Sequence, residues 1–319
     1  MKICILNDHT WDCEFSPELY LKNHDCERVD VFHKKSYEIL KKIQNNFDVF
    51  INFCDASLVE KRPGLDVVLA LEALEVPFTG AYSFCYEPSR NKMKSICSNM
   101  GILMPKSINI SDLDKITDEL FKDFKYPLIV KHSNSFGSIG LIKESKVFNI
   151  EQLRTQTERM LKIAKVVRIE EFIEGKEFSC LVSQNPQNIN DPIAYTPIEI
   201  KFPEGESFKH TEMKWVNYKQ MDCYQVKDKE TSEKIKEISK KLFIGINGRG
   251  YGRCDIRMDE NNNLYMLEIN SQAGILLPPD EPSTADIILQ LEEKGHETFI
   301  DLLIRSAFVN TSLINHRYK

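Results

Sequence analysis

Four residues between Gly252 and Asn270 have the types and spacing to do chemistry: Arg253, Asp255, Glu268 and Asn270. Asp259–Asn263 is a run of turn formers between two mostly apolar flanks, Cys254–Met258 and Leu264–Ile269, so the segment reads as a hairpin. Folding it between Asn261 and Asn262 brings Asp255 opposite Glu268, and period-two alternation puts Asn270 on the same face as Glu268. Two carboxylates and an amide oxygen on one surface make a hard, all-oxygen set with few protein ligands. Such a set suits magnesium held together with a nucleotide phosphate. Arg253 lies two residues before Asp255 and shares its face, where a guanidinium can stabilise a developing oxyanion, bridge the neighbouring acids, or do both. On this segment alone, an ordinary hairpin with a solvated acidic face is the equal alternative.

Three further stretches carry candidate groups. Lys131 ends an apolar run and precedes a loop containing Gly137, Ser138 and Gly140. An ammonium and backbone N–H groups of that kind can surround phosphate oxygens, although a surface turn would look the same. Glu170-Glu171-Phe-Ile173 ends a strand in carboxylates beside apolar residues. A purine can be read there by the backbone, and Glu177 can take ribose hydroxyls; a solvated acidic strand end is the plainer reading. Lys214 and Trp215 sit side by side in a long polar excursion, Lys201–Gln220, which can close over a reactive intermediate and exclude water. Lys92, beside Arg90 and Lys94, reads by itself as a solvated helix face.

The elements that must position these groups alternate. Ile3–Leu6 and Val49–Phe53 are strand-like, Tyr37–Ile43 and Gly64–Leu74 helical, and Pro77–Gly80 a strand-to-turn exit. That predicts a small parallel α/β domain over residues 1–85. Residues 86–177 form a second unit: a helix Ser89–Met100 capped by Ser89, a strand Leu128–Lys131, a strand Leu141–Lys143, a helix Ile150–Ile163 and a strand Val166–Phe172. Residues 178–319 form a third, with strands Phe178–Val182 and Ile193–Ile200, a helix Ser232–Ile244 and the hairpin.

Composition sets the bounds. The 319 residues are enough for two or three domains, and 42% hydrophobic with 28% charged residues is a soluble globular profile. A net charge of −6 without a basic stripe argues against nucleic acid as a partner. No apolar run approaches the ~20 residues of a membrane span, and the start is too quickly polar for a signal peptide. Nine cysteines without CxxC pairs read as reduced core thiols in a cytoplasmic protein, and no histidine spacing suggests zinc.

In this order the pieces resemble the ATP-grasp superfamily, and within it the D-alanine–D-alanine ligase group, from about Asp48 to Phe308. The carriers are Leu74-x-x-Pro77-x-Thr-Gly80, Asn91-Lys92, Lys131 with Gly137-Ser-Ile-Gly140, Glu170-Glu-Phe-Ile-x-Gly-x-Glu177, and Gly252-Arg-x-Asp255 with Glu268-x-Asn270. The resemblance implies an α/β fold in which the N-terminal domain is followed by two ATP-grasp lobes enclosing the nucleotide. It also implies an ATP-dependent carboxylate–amine ligase working through an acyl phosphate, with Mg2+ or Mn2+.

By the same resemblance Lys92, Lys131 and Lys214 hold phosphates, and Gly137 and Ser138 belong to the lid. Glu170, Glu171 and Ile173 frame the adenine and Glu177 the ribose. Asp255, Glu268 and Asn270 bind metal, with Glu268 able to bridge two ions, and Arg253 stabilises the oxyanion. The partners implied are a small carboxylate and an amine, with a homodimer left open.

The chain departs from the group's pattern on the amino-acid side. Asn7–Glu14 replaces the Gly-Gly-x-Ser-x-Glu loop, Gly137 a serine, Trp215 a tyrosine, and Gln272-Ala-Gly274 a Ser-Pro-Gly, followed by a Pro-rich stretch, Leu277–Pro282. The expectation is therefore a ligase of this type acting on another amino acid or peptide. A non-catalytic ATP-binding sensor or scaffold, a ligase of a non-amino-acid carboxylate, and a D-alanine–D-alanine ligase proper are the alternatives.

Overall fold

Alternation in the first strand sets the plan of the molecule. In β1 (Lys2–Asp8) the side chains of Cys4 and Leu6 enter one hydrophobic cluster and those of Ile3 and Ile5 another, as in a strand buried on both faces. β2 (Asp25–Val31) and β3 (Val49–Asn52) flank it in parallel, in the order β2-β1-β3. α1 (Ser36–Ile43) and α2 (Leu65–Ala73) complete the unit, and Val67, Val68 and Leu71 of α2 pack with Cys4 and Phe50. This computed structural model describes residues 1–10, 15–58, 60–134 and 137–317.

α3 (Arg90–Asn99) starts where sequence predicted, with the Ser89 hydroxyl accepting from the Lys92 N–H at 3.2 Å. The second sheet follows: β4 (Ser107–Ile110), α4 (Asp118–Phe121), β5 (Leu128–His132), β6 (Lys146–Val147), α5 (Ile150–Leu161) and β7 (Val167–Glu171). Its strands are antiparallel in the order β4-β7-β5-β6. Leu153 and Met160 of α5 pack with Leu128, Val130, Val147 and Ile169 in a core of its own. The strand expected at Leu141–Lys143 does not form. The Leu141 carbonyl instead accepts from the Thr211 N–H at 2.8 Å, Lys143–Ser145 is a 3-10 turn, and β6 takes the place beside β5.

The third sheet contains β8 (Lys176–Ser183), β9 (Ile193–Ala194), β10 (Ile198–Lys201), β11 (Asp222–Gln225), β12 (Tyr251–Met258) and β13 (Leu264–Asn270). The order is β11-β10-β8-β12-β13, with β9 also on β8. Ile193–Ile200, expected as one strand, is two, because Pro197 between them has no N–H for the ladder. α6 (Thr211–Trp215), α7 (Lys229–Gly245), α8 (Thr284–Gln290) and α9 (Gly295–Arg317) surround this sheet.

Met93 and Cys97 of α3 join Cys180, Leu242 and Ile256, so α3 packs on the third sheet even though it leads into the second in sequence. Phe299 and Leu303 of α9 share a cluster with Ile3 and Ile5 of the first sheet. The Pro77–Gly80 exit docks here as well. Gly250 has φ +67°, and a Cβ on it would lie 2.5 Å from the Gly80 carbonyl oxygen. The Gln272 amide oxygen accepts from the Ala81 N–H at 3.0 Å. The described cysteines are all free thiols. Among the described residues no helix is long and apolar enough to cross a membrane.

Candidate functional site

The β12–β13 hairpin turns where the polar run predicts. The Asp259 carboxylate accepts from the N–H groups of Asn261 at 3.0 Å and Asn263 at 2.8 Å, the local pairing that makes aspartate a turn former. The register pairs Arg253 with Asn270 and Asp255 with Glu268, as the sequence spacing requires. Between Asp255 and Ile256 it slips, so that Ile256 pairs with Met266 and Leu267 is the extra residue of a bulge. Cys254, Ile256, Met266 and Ile269 enter the core. Arg253, Asp255, Arg257, Glu268 and Asn270 line a large cleft.

Each acid of that cleft floor already has a guanidinium partner. Arg253 reaches both oxygens of Asp255, at 3.1 and 3.0 Å, and the Ser179 hydroxyl donates to Oδ1 at 2.6 Å. Burial alone would raise the Asp255 pKa, but Arg253 overrides it and holds the carboxyl well below its ordinary range. Glu268 is paired with Arg90, whose other nitrogen donates to the carbonyl of the bulged Leu267 at 3.1 Å. The Asn270 side-chain oxygen accepts from the Gln272 N–H at 3.1 Å. Among the described residues no three His, Cys, Asp or Glu side chains gather as a metal cage. The donor set is two carboxylates and an amide oxygen. It fits a hard divalent ion that completes its shell with phosphate oxygens and water.

A second wall comes from β5 and β7. The Lys131 Nζ lies 2.5 Å from Glu170 Oε1, and Arg168 donates to Oε2 at 2.8 Å and to the Ser107 hydroxyl at 2.7 Å. Burial opposes ionisation of Glu170, but Lys131 and then Arg168 keep its carboxyl below the usual value. Glu171 accepts from the Lys125 N–H at 2.9 Å, and both it and Ile173 line the cleft. Glu177, at the start of β8, meets Arg257 at 3.0 Å and Lys209 at 3.4 Å.

The glycine loop and the excursion Lys201–Gln220 are stitched together. Ser138, at φ +60°, donates its hydroxyl to the Lys209 carbonyl at 2.8 Å, and the Thr211 hydroxyl donates to the Ser138 carbonyl at 2.6 Å. Trp215, half exposed, donates its indole N–H to the Gly137 carbonyl at 3.0 Å. Gly137 at φ +73° and Gly140 at φ +68° supply a backbone that side chains resist. Lys214 lines the cleft, its ammonium 5.2 Å from the Trp215 ring centre. Burial, and then the nearby Arg253, push its pKa down to about 8.

Of the residues expected from sequence, Lys131, Gly137, Ser138, Glu170, Glu171, Ile173, Glu177, Lys214, Trp215, Arg253, Asp255, Glu268 and Asn270 all line this one cleft of about 860 Å3, a volume typical of small-molecule sites. Lys92 does not. Its ammonium turns to the Phe84 carbonyl at 3.1 Å on the exposed side of α3, and Arg90 faces the cleft instead. Two residues apart on a helix is roughly 200° of rotation, so Arg90 and Lys92 cannot share a face.

The cleft also has an N-terminal rim that sequence reasoning missed. Arg62 meets Asp8 at 2.9 Å, Asp55 at 3.2 Å and Glu60 at 3.5 Å, beside Tyr86, Glu87 and Phe15. Burial lifts the Asp55 pKa to about 6 against the pull of Arg62. The only prior signal was that Asp55 comes three residues after the end of β3. Trp11 and Glu14, in the altered N-terminal segment, lie outside the described residues.

Residues 98–276 match the family model described as D-ala D-ala ligase C-terminus. The chain is 24% identical over 295 residues to a D-alanine–D-alanine ligase B from Clostridium perfringens, covering 86% of this chain and 88% of that one. Its fold superimposes on a D-alanine–D-alanine ligase from Bacillus anthracis complexed with ATP, with a TM-score of 0.72 at 16% identity over 98% of this chain and 99% of that one. It also superimposes on the VanG D-Ala:D-Ser ligase from Enterococcus faecalis, with a TM-score of 0.68 at 15% identity over 94% and 98%.

Proposed function

The chain belongs to the D-alanine–D-alanine ligase family of ATP-dependent C–N ligases, and we propose that its cleft joins a small carboxylate to an amine through an acyl phosphate. The observation that carries this reading is the meeting of Lys131, Lys214, Arg253, Asp255, Glu268 and Asn270 around one cavity. In the proposal, residues 86–177 and 178–319 grip the nucleotide and 1–85 supplies the far rim. Glu170, Glu171 and Ile173 meet the adenine and Glu177 the ribose. Lys131 and Lys214 neutralise the phosphates and align the carboxylate for attack on the γ-phosphate. Arg253 stabilises the oxyanion formed when the amine adds to the acyl phosphate. Asp255, Glu268 and Asn270 would hold Mg2+ or Mn2+, which when bound supplies charge neutralisation at the phosphates. Trp215 covers the reacting carboxylate and keeps water away.

For the substrate we propose an amino acid or short peptide other than D-alanine. The support is the rim: Arg62 among Asp8, Asp55 and Glu60 on one side, and Leu277, Glu281 and Pro282 on the other. Synthesis of D-alanyl-D-alanine is the second reading, favoured by the kinship itself. A phosphate-release screen with ATP, magnesium and pairs of D- and L-amino acids and dipeptides separates the two. Efficient turnover with D-alanine alone selects the second reading. Failure of every pair, in a protein that binds ATP, rejects ligation.

A further inference from the structure

Gln272 is the second residue past the Asn270 end of β13; it is 7% exposed and lines the cleft. Its backbone N–H donates to the Asn270 side chain at 3.1 Å, which sets the course of the chain leaving the hairpin. Its side-chain oxygen accepts from the Ala81 N–H at 3.0 Å. A backbone N–H can be met only by an acceptor, so that contact fixes which end of the amide is oxygen and which is nitrogen. The NH2 end makes no hydrogen bond among the described residues, yet it is not sealed from solvent. It therefore opens on the cleft that the residue lines. Ala81 precedes α3, as do Phe15, Asp55 and Arg62 of the cleft wall, whereas Lys131 and Glu170 come from the second sheet and Lys214 from the excursion beside the third. The open donor thus stands at the seam between the N-terminal rim and the floor.

We propose that Gln272 is a specificity-determining residue: its amide NH2 donates to a carbonyl or carboxylate oxygen of the substrate that lies between the rim and the floor. The proposal rests on the ligase reading above and narrows its substrate. Gln272 stands where the group's pattern has a serine, a shorter side chain, so this donor is a feature of this chain. With its oxygen tied to Ala81, the amide gives up its rotamer freedom before any ligand binds, and a bound oxygen gains the hydrogen bond without a further ordering cost. Selection follows from the same geometry. An amino acid or peptide that turns such an oxygen to Gln272 completes the donor. An amine that lacks it leaves the NH2 unpaired, and a site built to hydrogen-bond an oxygen rejects such analogues strongly. The donor is neutral, so it serves a peptide carbonyl and a free carboxylate alike, and it offers an ammonium no lone pair.

Gln272→Glu is the informative variant, because its carboxylate still accepts from the Ala81 N–H while a second acceptor replaces the donor. Gln272→Met loses both. Phosphate release and chromatographed product are followed with the amino acids and dipeptides of the screen described above. In Gln272→Glu the KM of one of the two ligated substrates should rise at least about tenfold, with the KM for ATP within about twofold of wild type. Repeating the measurement with the carboxamide of the amine substrate separates the sources: a rise that disappears assigns a free carboxylate, and one that persists assigns a carbonyl. KM values for both substrates within about twofold of wild type in Gln272→Glu overturn the proposal. So does a rise in Gln272→Met that Gln272→Glu lacks, since loss of the Ala81 contact then accounts for it. Should Gln272→Glu not fold, Gln272→Met carries the test, and equal rises for ATP and both substrates overturn the proposal. Failure of every pair, in a protein that binds ATP, rejects ligation itself, and the proposal falls with it.

Discussion

The indole N–H of Trp215 donates to the carbonyl of Gly137 at 3.0 Å, joining the glycine loop of the middle sheet to the excursion of the third. Both residues line the cleft, and so does Lys214, whose ammonium is 5.2 Å from the indole ring centre. Trp215→Ala should therefore uncouple the reaction. Unproductive ATP hydrolysis relative to ligated product should rise several-fold, read by phosphate release against chromatographed product. Coupling equal to wild type would leave the indole as a surface contact only.

Lys214 predicts a pH dependence. Its pKa is pushed down to about 8, first by burial and then by Arg253. The free enzyme thus loses an ammonium from the cleft as pH rises through about 8, below the usual lysine range. kcat/KM for ATP should fall along an alkaline limb near pH 8. Lys214→Arg, whose charge persists, should move that limb upward even if its maximal rate is lower. A limb that does not move assigns it to another group.

Glu268→Gln keeps the size of the side chain and removes one charge. Turnover should drop by about two orders of magnitude or more. The variant should still unfold cooperatively, with a midpoint lowered because the buried Arg90 loses its charged partner. Turnover within a few-fold of wild type would reduce the hairpin to a structural element.

Much of this site was legible because its information is local. The β12–β13 register follows from the midpoint of a turn-forming run, and the Ser89 cap from a serine before a helical pattern. What was not legible depends on tertiary placement. The slip that bulges Leu267 has no mark in the apolar run Leu264–Ile269. Lys92 fits a family spacing, but which residue of α3 faces the cleft is decided by Met93 and Cys97 burying against the third sheet. Asp55, Arg62 and Glu60 lie close in sequence, yet nothing in that stretch says that it rims a cleft floored by residues 253–270.

Asp55 gives a stability prediction. Folding raises its pKa from about 3.8 to about 6, chiefly by burial, so ionisation works against the folded state. Its contribution is present in full below the unfolded value and is lost as pH climbs through the folded one. Wild type should therefore lose stability relative to Asp55→Asn between about pH 4 and pH 6. Thermal midpoints measured across that window check it, and parallel curves would show that Asp55 ionises freely.

Gly250→Ala should destabilise the protein by about 2 kcal/mol or more. The added methyl would stand 2.5 Å from the Gly80 carbonyl oxygen, at a φ of +67° that alanine resists. Denaturant unfolding measures the loss. A change under about 0.5 kcal/mol would mean that the Gly80 turn can withdraw.

The distribution of hydrophobic clusters has a consequence for how the chain comes apart. Ile3 and Ile5 of the first sheet share a core with Phe299 and Leu303, and Cys4 and Leu6 share another with Cys180 and Ile256. The middle sheet buries Leu128, Val130, Leu153 and Ile169 separately. The three sheets thus make two main blocks, one built from both ends of the chain and one from its middle, with the small cluster of Ile129, Phe172 and Phe208 joining them. Calorimetry would resolve two endotherms, the smaller from the middle block. The larger block cannot be completed until the C-terminal helix has been synthesised, so on the ribosome the middle of this chain is the first part able to fold to completion.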